Sequence, residues 1–196
     1  MSMASRIVGT LLTVVVCAAC SDATGPALCD PSGPGPSIEG ARADSLPPAP
    51  TTHRTPDDEW AAIARNVPGG WGGFFLENGE PTIYLVDPGE QTAAVAALYS
   101  LGVGAPYDIR EATVWQGRWD FGQLYDWYRY INQVAVGWPD GLVWRDINEG
   151  RNRLVYGVLE DSLDSFTETI ESVQLPCELV VIEVMGPIIA DVGMVP

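Results

Sequence analysis

Eight of the sixteen prolines lie between residues 21 and 56, and that placement decides where a fold can form. Glycine, serine and alanine fill the space between them. Such a stretch cannot bury enough apolar surface to offset its ordering entropy. Residues 20–54 therefore read as a Pro/Gly-rich disordered tether, a semi-extended spacer. The fold must come from the residues C-terminal to it: a domain at 55–185, then an irregular tail at 186–196. An apolar share of 46% over 196 residues suffices for a real core.

Charge narrows the chemistry. There are 26 acids against 10 bases, for a net charge of −16, and every base is an arginine. Without lysine there is no P-loop and no lysine Schiff base. The single histidine, His53, lies in the tether, so neither a His-rich metal site nor a Ser–His–Asp site is expected. So negative a chain repels phosphate backbones, which excludes nucleic acid as a partner. Among the acids, Glu111 and Asp120 flank a strand-to-helix turn, and Asp161 with Asp164 opens a helix. No spacing marks a pair set across a sugar, so they read as caps and solvated surface. Asp146-Ile147-Asn148-Glu149-Gly150 lacks the glutamate at loop position twelve that an EF-hand needs. No catalytic residue, cofactor or metal is expected.

The first residues read as a signal peptide, 1–19. Arg6 precedes an apolar run, Ile7 to Val16, too short to span a bilayer. Cys17-Ala18-Ala19-Cys20 then resembles a bacterial lipobox, with Cys17 where an aliphatic residue is usual. The resemblance implies that Cys20 carries palmitate-type acyl chains, which hold a protein on a membrane without a spanning helix. Ser21 sits directly after it, where aspartate would mark inner-membrane retention in enteric bacteria, which implies the outer membrane of the envelope. An ordinary secreted protein and a C-x-x-C redox motif are the other readings of this segment. Outside the cytoplasm the two remaining mature cysteines, Cys29 and Cys177, are expected to pair.

Within the domain, Thr55-Pro56-Asp57-Asp58 carries three agreeing helix-start signals. Trp60, Ile63, Ala64 and Val67 form one apolar stripe. Gly72–Leu76 and Thr82–Val86 flank Asn78-Gly79, a hairpin signal. Asp87-Pro88 starts a second helix. Ile109–Trp115 alternates as a strand. Asp120 caps a third helix over 121–134, with Gln123 at N3. Gly141–Ile147 and Arg153–Leu159 form a second hairpin, Asp161 caps a last helix, and Leu179–Val184 makes a final strand. The expected class is α+β. From residue 109 the order is split βαβ, ferredoxin-like: an antiparallel sheet with helices on one face. A helix–hairpin–helix precedes it, extending that sheet or covering its other face.

The helix at 121–134 is apolar or aromatic around most of its circumference. Phe121, Leu124, Tyr125, Tyr128 and Ile131 form its core face. One buried face cannot hide the rest, so Trp127 and Tyr130, with Trp119 nearby, are the candidate contact patch for a partner.

Gly72-Gly73-Phe74-Phe75 with Thr82-Ile83-Tyr84-Leu85-Val86-Asp87 resembles the repeated hairpin of α-lytic-protease-type propeptides. Trp144-Arg145-Asp146 with Asn152-Arg153-Leu154-Val155 resembles the last hairpin of that family. The likeness covers about residues 70–160. It implies a module that binds and inhibits a serine protease, with the tail from Gly186 in the cleft. No protease domain follows Pro196, so the propeptide-like fold is expected to be detached and lipid-anchored. Fold analogy does not by itself transfer function. The leading expectation is a non-catalytic envelope lipoprotein that binds protein. The alternatives are a carboxylate-based hydrolase of envelope glycans and a purely structural envelope protein. Cys20→Ser is expected to move the protein from the membrane to the soluble fraction; unchanged fractionation would refute the lipobox.

Overall fold

In the computed structural model, residues 33–38, 55–135 and 138–186 are described. Local chemistry sets the helix starts. The first helix, α1 (Pro56–Ala64), begins on a capping box in which the Thr55 side chain accepts from the Asp58 amide and Asp58 accepts from the Thr55 amide. The same device starts α3 (Phe121–Val134), between Asp120 and Gln123. Between them come β1 (Trp71–Glu77), β2 (Glu80–Leu85), α2 (Gln91–Ser100) and β3 (Thr113–Gln116); after α3 come β4 (Leu142–Asn148), β5 (Arg153–Leu159), α4 (Leu163–Ser172) and β6 (Val180–Met185). Asn78 and Gly79 both take positive φ, as a two-residue hairpin turn demands.

The fold is α+β, but its strands do not form one ferredoxin-like sheet. They form two three-stranded sheets, β1-β2-β3 and β4-β5-β6. Both are mixed: each hairpin is antiparallel, and the third strand runs parallel to the second. The expected split βαβ order fails at β3. That strand pairs with β2, from Thr82↔Thr113 to Leu85↔Gln116, and the Gly117 amide extends the ladder to the Leu85 carbonyl. The long connection through α2 is what a parallel pair requires, so the early helix–hairpin–helix claims β3 for its own sheet. The chain thus repeats one plan: helix, hairpin, helix, parallel strand. Even the register irregularities match, at Trp71/Gly73 in β1 and at Leu142/Trp144 in β4.

Local expectations are also corrected: Asp87 caps a 3-10 turn at Pro88–Glu90, and α2 begins only at Gln91. Ile109–Glu111 is a 3-10 turn, not the start of a strand, because the Asp108 carboxylate accepts from the Arg110 amide. Asp161 does not cap the last helix; it lies inside a 3-10 turn at Glu160–Ser162, and α4 starts after Ser162.

One apolar cluster runs through both halves. Trp60, Trp71 and Phe121 pack α1, β1 and α3 together at ring separations of 5.3–6.2 Å. Trp138, Tyr156 and Phe166 do the same for β5 and α4 at 5.3–5.5 Å. The polar junction between the halves is Asn152. It is 1% exposed. Its Oδ1 accepts from the amides of Arg118 (2.8 Å) and Trp119 (3.1 Å), and its Nδ2 donates to the carbonyls of Trp119 (2.7 Å) and Gly72 (3.4 Å). Only glycine leaves room for this side chain at 72, where a Cβ would lie 2.5 Å from Nδ2. Asn152 also holds φ at +53°, which asparagine tolerates better than most residues. Asn152→Ala is expected to cost about 2–4 kcal/mol, since it strands buried backbone groups as well as deleting hydrogen bonds. Denaturant unfolding measures this, and a loss below about 1 kcal/mol would contradict the clamp.

Candidate functional site: the aromatic flank of α3

The structure brings Trp119 and Trp127 together at one site but does not leave them open. Trp119 and Trp127 are fully buried, and Tyr130 is 3% exposed. Trp127 and Tyr130 meet edge to face at 5.9 Å. In the patch expected to be free for a partner, Trp119 and Trp127 are packed against the chain's own Gly35 and Pro36. Within the stretch read as tether, Gly35, Pro36 and Ile38 pack on the domain, while Gly33 and Pro34 are exposed. Gly35 and Ile38 are buried. The Gly35 amide donates to the Arg118 carbonyl. The Pro36 carbonyl accepts from Trp127 Nε1 at 3.0 Å, and the Gly35 carbonyl accepts from Gln123 Nε2 at 3.4 Å. A Cβ at position 35 would overlap the Trp119 indole, so this contact admits only glycine.

Trp119 also carries two cations. The guanidinium of Arg118 lies 4.8 Å from its ring and that of Arg153 lies 4.7 Å away. Both cations reach the same carboxylate oxygen of Glu178, at 3.1 Å and 3.4 Å. Weakly hydrated guanidinium planes stack well on indole, and the shared acid fixes their positions. Sequence reasoning missed Gly35, Arg118, Asn152 and Glu178 as parts of this site. A signal existed in Gly33-Pro34-Gly35-Pro36-Ser37-Ile38, where a lone aliphatic residue comes after alternating glycine and proline. Composition alone made it look like spacer.

Among the remaining candidate residues, Cys177 is disulfide-bonded, and Cys20 and Cys29 lie outside the described residues, as do His53 and the tail beyond Gly186. Glu111, Asp161 and Asp164 are exposed. Asp120 serves as the cap of α3, its carboxyl raised above the usual range mainly by burial. Among the described residues, no group of three histidines, cysteines or acids could hold a metal ion. None of the described helices is long and apolar enough to cross a membrane.

A second polar locus lies at the β4–β5 turn. Glu149 packs against Gly73 of β1, where a Cβ would come within 2.8 Å of the glutamate side chain. Burial pushes its carboxyl up to about 7, and the charges of Asp146 and Asp57 add to the effect. Asp146 and Asp57 are raised as well, again mainly by burial. Beside this turn, Phe75, Tyr84 and Trp115 form an aromatic strip across the first sheet, with ring separations of 5.4–5.7 Å. Trp115 is 37% exposed.

No protein-family model matches the chain, and no curated protein matches it.

The raised Glu149 carboxyl sets a pH dependence with a definite sign. The folded state keeps its proton up to about 7, whereas the unfolded chain releases it near the ordinary 4.5. Between those values the folded state binds more protons, so stability falls as pH rises through that window. Glu149→Gln removes the buried charge. The variant is expected to melt higher than the parent at pH 8 and level with it at pH 4. An equal difference at both pH values would assign the effect to packing instead.

Proposed function

We propose that the chain is an envelope lipoprotein anchored through Cys20, whose α+β domain is non-catalytic and works by binding protein, in the manner of a protease propeptide. The observation that carries this reading is the repeated helix–hairpin–helix–strand plan, whose two hairpins contain the segments resembling the propeptide family. Gly72-Gly73-Phe74-Phe75 and Asn152-Arg153-Leu154-Val155 meet in space through the Asn152–Gly72 contact, so the resembling segments form one junction. β6 belongs to the second sheet and ends at Met185, which gives the proposed inhibitory segment, from Gly186 onward, a fixed origin. A disulfide between Cys29 and Cys177 would tie the start of the tether to the approach to β6.

A second reading has one observation in its favour. A glutamic acid held near 7 beside two further acids is what a general acid requires. On that reading the protein hydrolyses envelope glycans, with Glu149 as acid and Asp146 as its partner.

Two measurements separate the readings. Against a panel of secreted serine proteases, the purified protein is expected to inhibit at least one at micromolar concentration, and removing residues 187–196 is expected to abolish inhibition. Undiminished activity across the panel would refute the inhibitor. Glycan turnover lost in Glu149→Gln would establish the hydrolase. Peptide mapping without reduction is expected to recover the Cys29 and Cys177 peptides joined; separate recovery would refute the bridge.

A further inference from the structure

The contacts around residues 33–38 amount to a built peptide site. Backbone groups are read at three points: the Gly35 amide, the Gly35 carbonyl and the Pro36 carbonyl. One position admits only glycine, against Trp119. Three residues later, one position takes a fully buried aliphatic side chain, Ile38. On the receptor side, the Arg118 and Arg153 guanidinium groups stack over Trp119, and Trp127 is carried by α3. Prolines lower the entropy lost when an extended segment docks in an aromatic groove. The segment is open to solvent where it enters: Gly33 and Pro34 are exposed, and a Cβ on Gly33 would meet nothing within 4 Å.

We infer that the Trp119–Trp127 face of α3 is a binding site for a short Gly-Pro peptide segment of a partner protein, with Gly33–Ile38 as its resident intramolecular ligand. The matching chemistry is glycine against Trp119, proline next, and an aliphatic residue three positions after the glycine. This rests on the protein-binding reading and names its partner segment; it stands apart from protease inhibition, which is measured separately. Occupancy by the resident segment makes the site self-inhibited. A partner must compete with it, or it must first be pulled away.

The test uses the full chain and a hexapeptide, Gly-Pro-Gly-Pro-Ser-Ile. Exchange protection of the Trp127 indole N–H reports occupancy, and tryptophan fluorescence reports peptide binding. The parent is expected to protect the indole and to ignore added peptide at micromolar concentration. Gly35→Ala is expected to lower protection at least about tenfold while keeping a cooperative thermal transition. It should also bind the hexapeptide, but not its analogue with alanine at the third position. Ile38→Asp releases the segment from its other end and should behave in the same way. Undiminished protection in both variants would overturn the inference. So would release of the segment with no peptide bound up to millimolar concentration. Loss of the cooperative transition in both would also overturn it, because residues 33–38 would then be a part of the core and not a displaceable ligand.

Discussion

The two half-units share one core, and the buried Asn152 amide is a directional contact between them. Apolar contact between them is non-directional; it would tolerate many orientations. The Asn152 amide does not. Its four hydrogen bonds reach β1 and the turn that leads into α3, so a single side chain sets the second hairpin against the first sheet and the start of the central helix. Glycine at 72 provides the space. Buried polar groups joined in this way are costly to disturb because each lost partner leaves another unsatisfied.

From that junction the rest of the site is built. With Arg118 and Trp119 held by Asn152, the Trp119 ring sits where Arg153, the next residue after the clamp, can stack on it. Glu178 then balances both cations. Against the Trp119 indole there is room only for a backbone without a Cβ, and Gly35 occupies that place. The aromatic flank of α3 is therefore neither simple core nor open surface. It is closed by a short peptide segment from far away in the chain.

The strong acidic balance has a local cost at the same junction. Packing the β4–β5 turn onto β1 places Glu149 in partial burial near Asp146 and Asp57. The charges of those two aspartates push the Glu149 carboxyl further up, and the charge of Asp57 does the same to Asp146. The hairpin contact and the proton on Glu149 are thereby linked, and the same contact favours low pH.

Much of the secondary structure was legible because its causes are local. Thr55-Pro56-Asp57-Asp58 and Asp120 with Gln123 start helices through bonds within one turn, and Asn78-Gly79 reverses the chain by its own backbone preference. The α+β class came from those elements. Asp161 does not cap the last helix because a 3-10 turn precedes it, and Ser162 at the N-cap position makes no side-chain cap bond. The choice of sheet for β3 was not legible, since a four-residue strand carries too little pattern to name its neighbour and the competing pairings differ by tertiary packing. Nor was the docking of Gly33–Ile38, for composition reports what a segment can bury alone, not what a groove elsewhere offers it. The sequence by itself determined where helices begin, where the chain turns and which chemistries lack their residues. Only the tertiary structure decided which strands pair and what covers Trp127, because both depend on free energies between groups distant in the chain that no local spacing records.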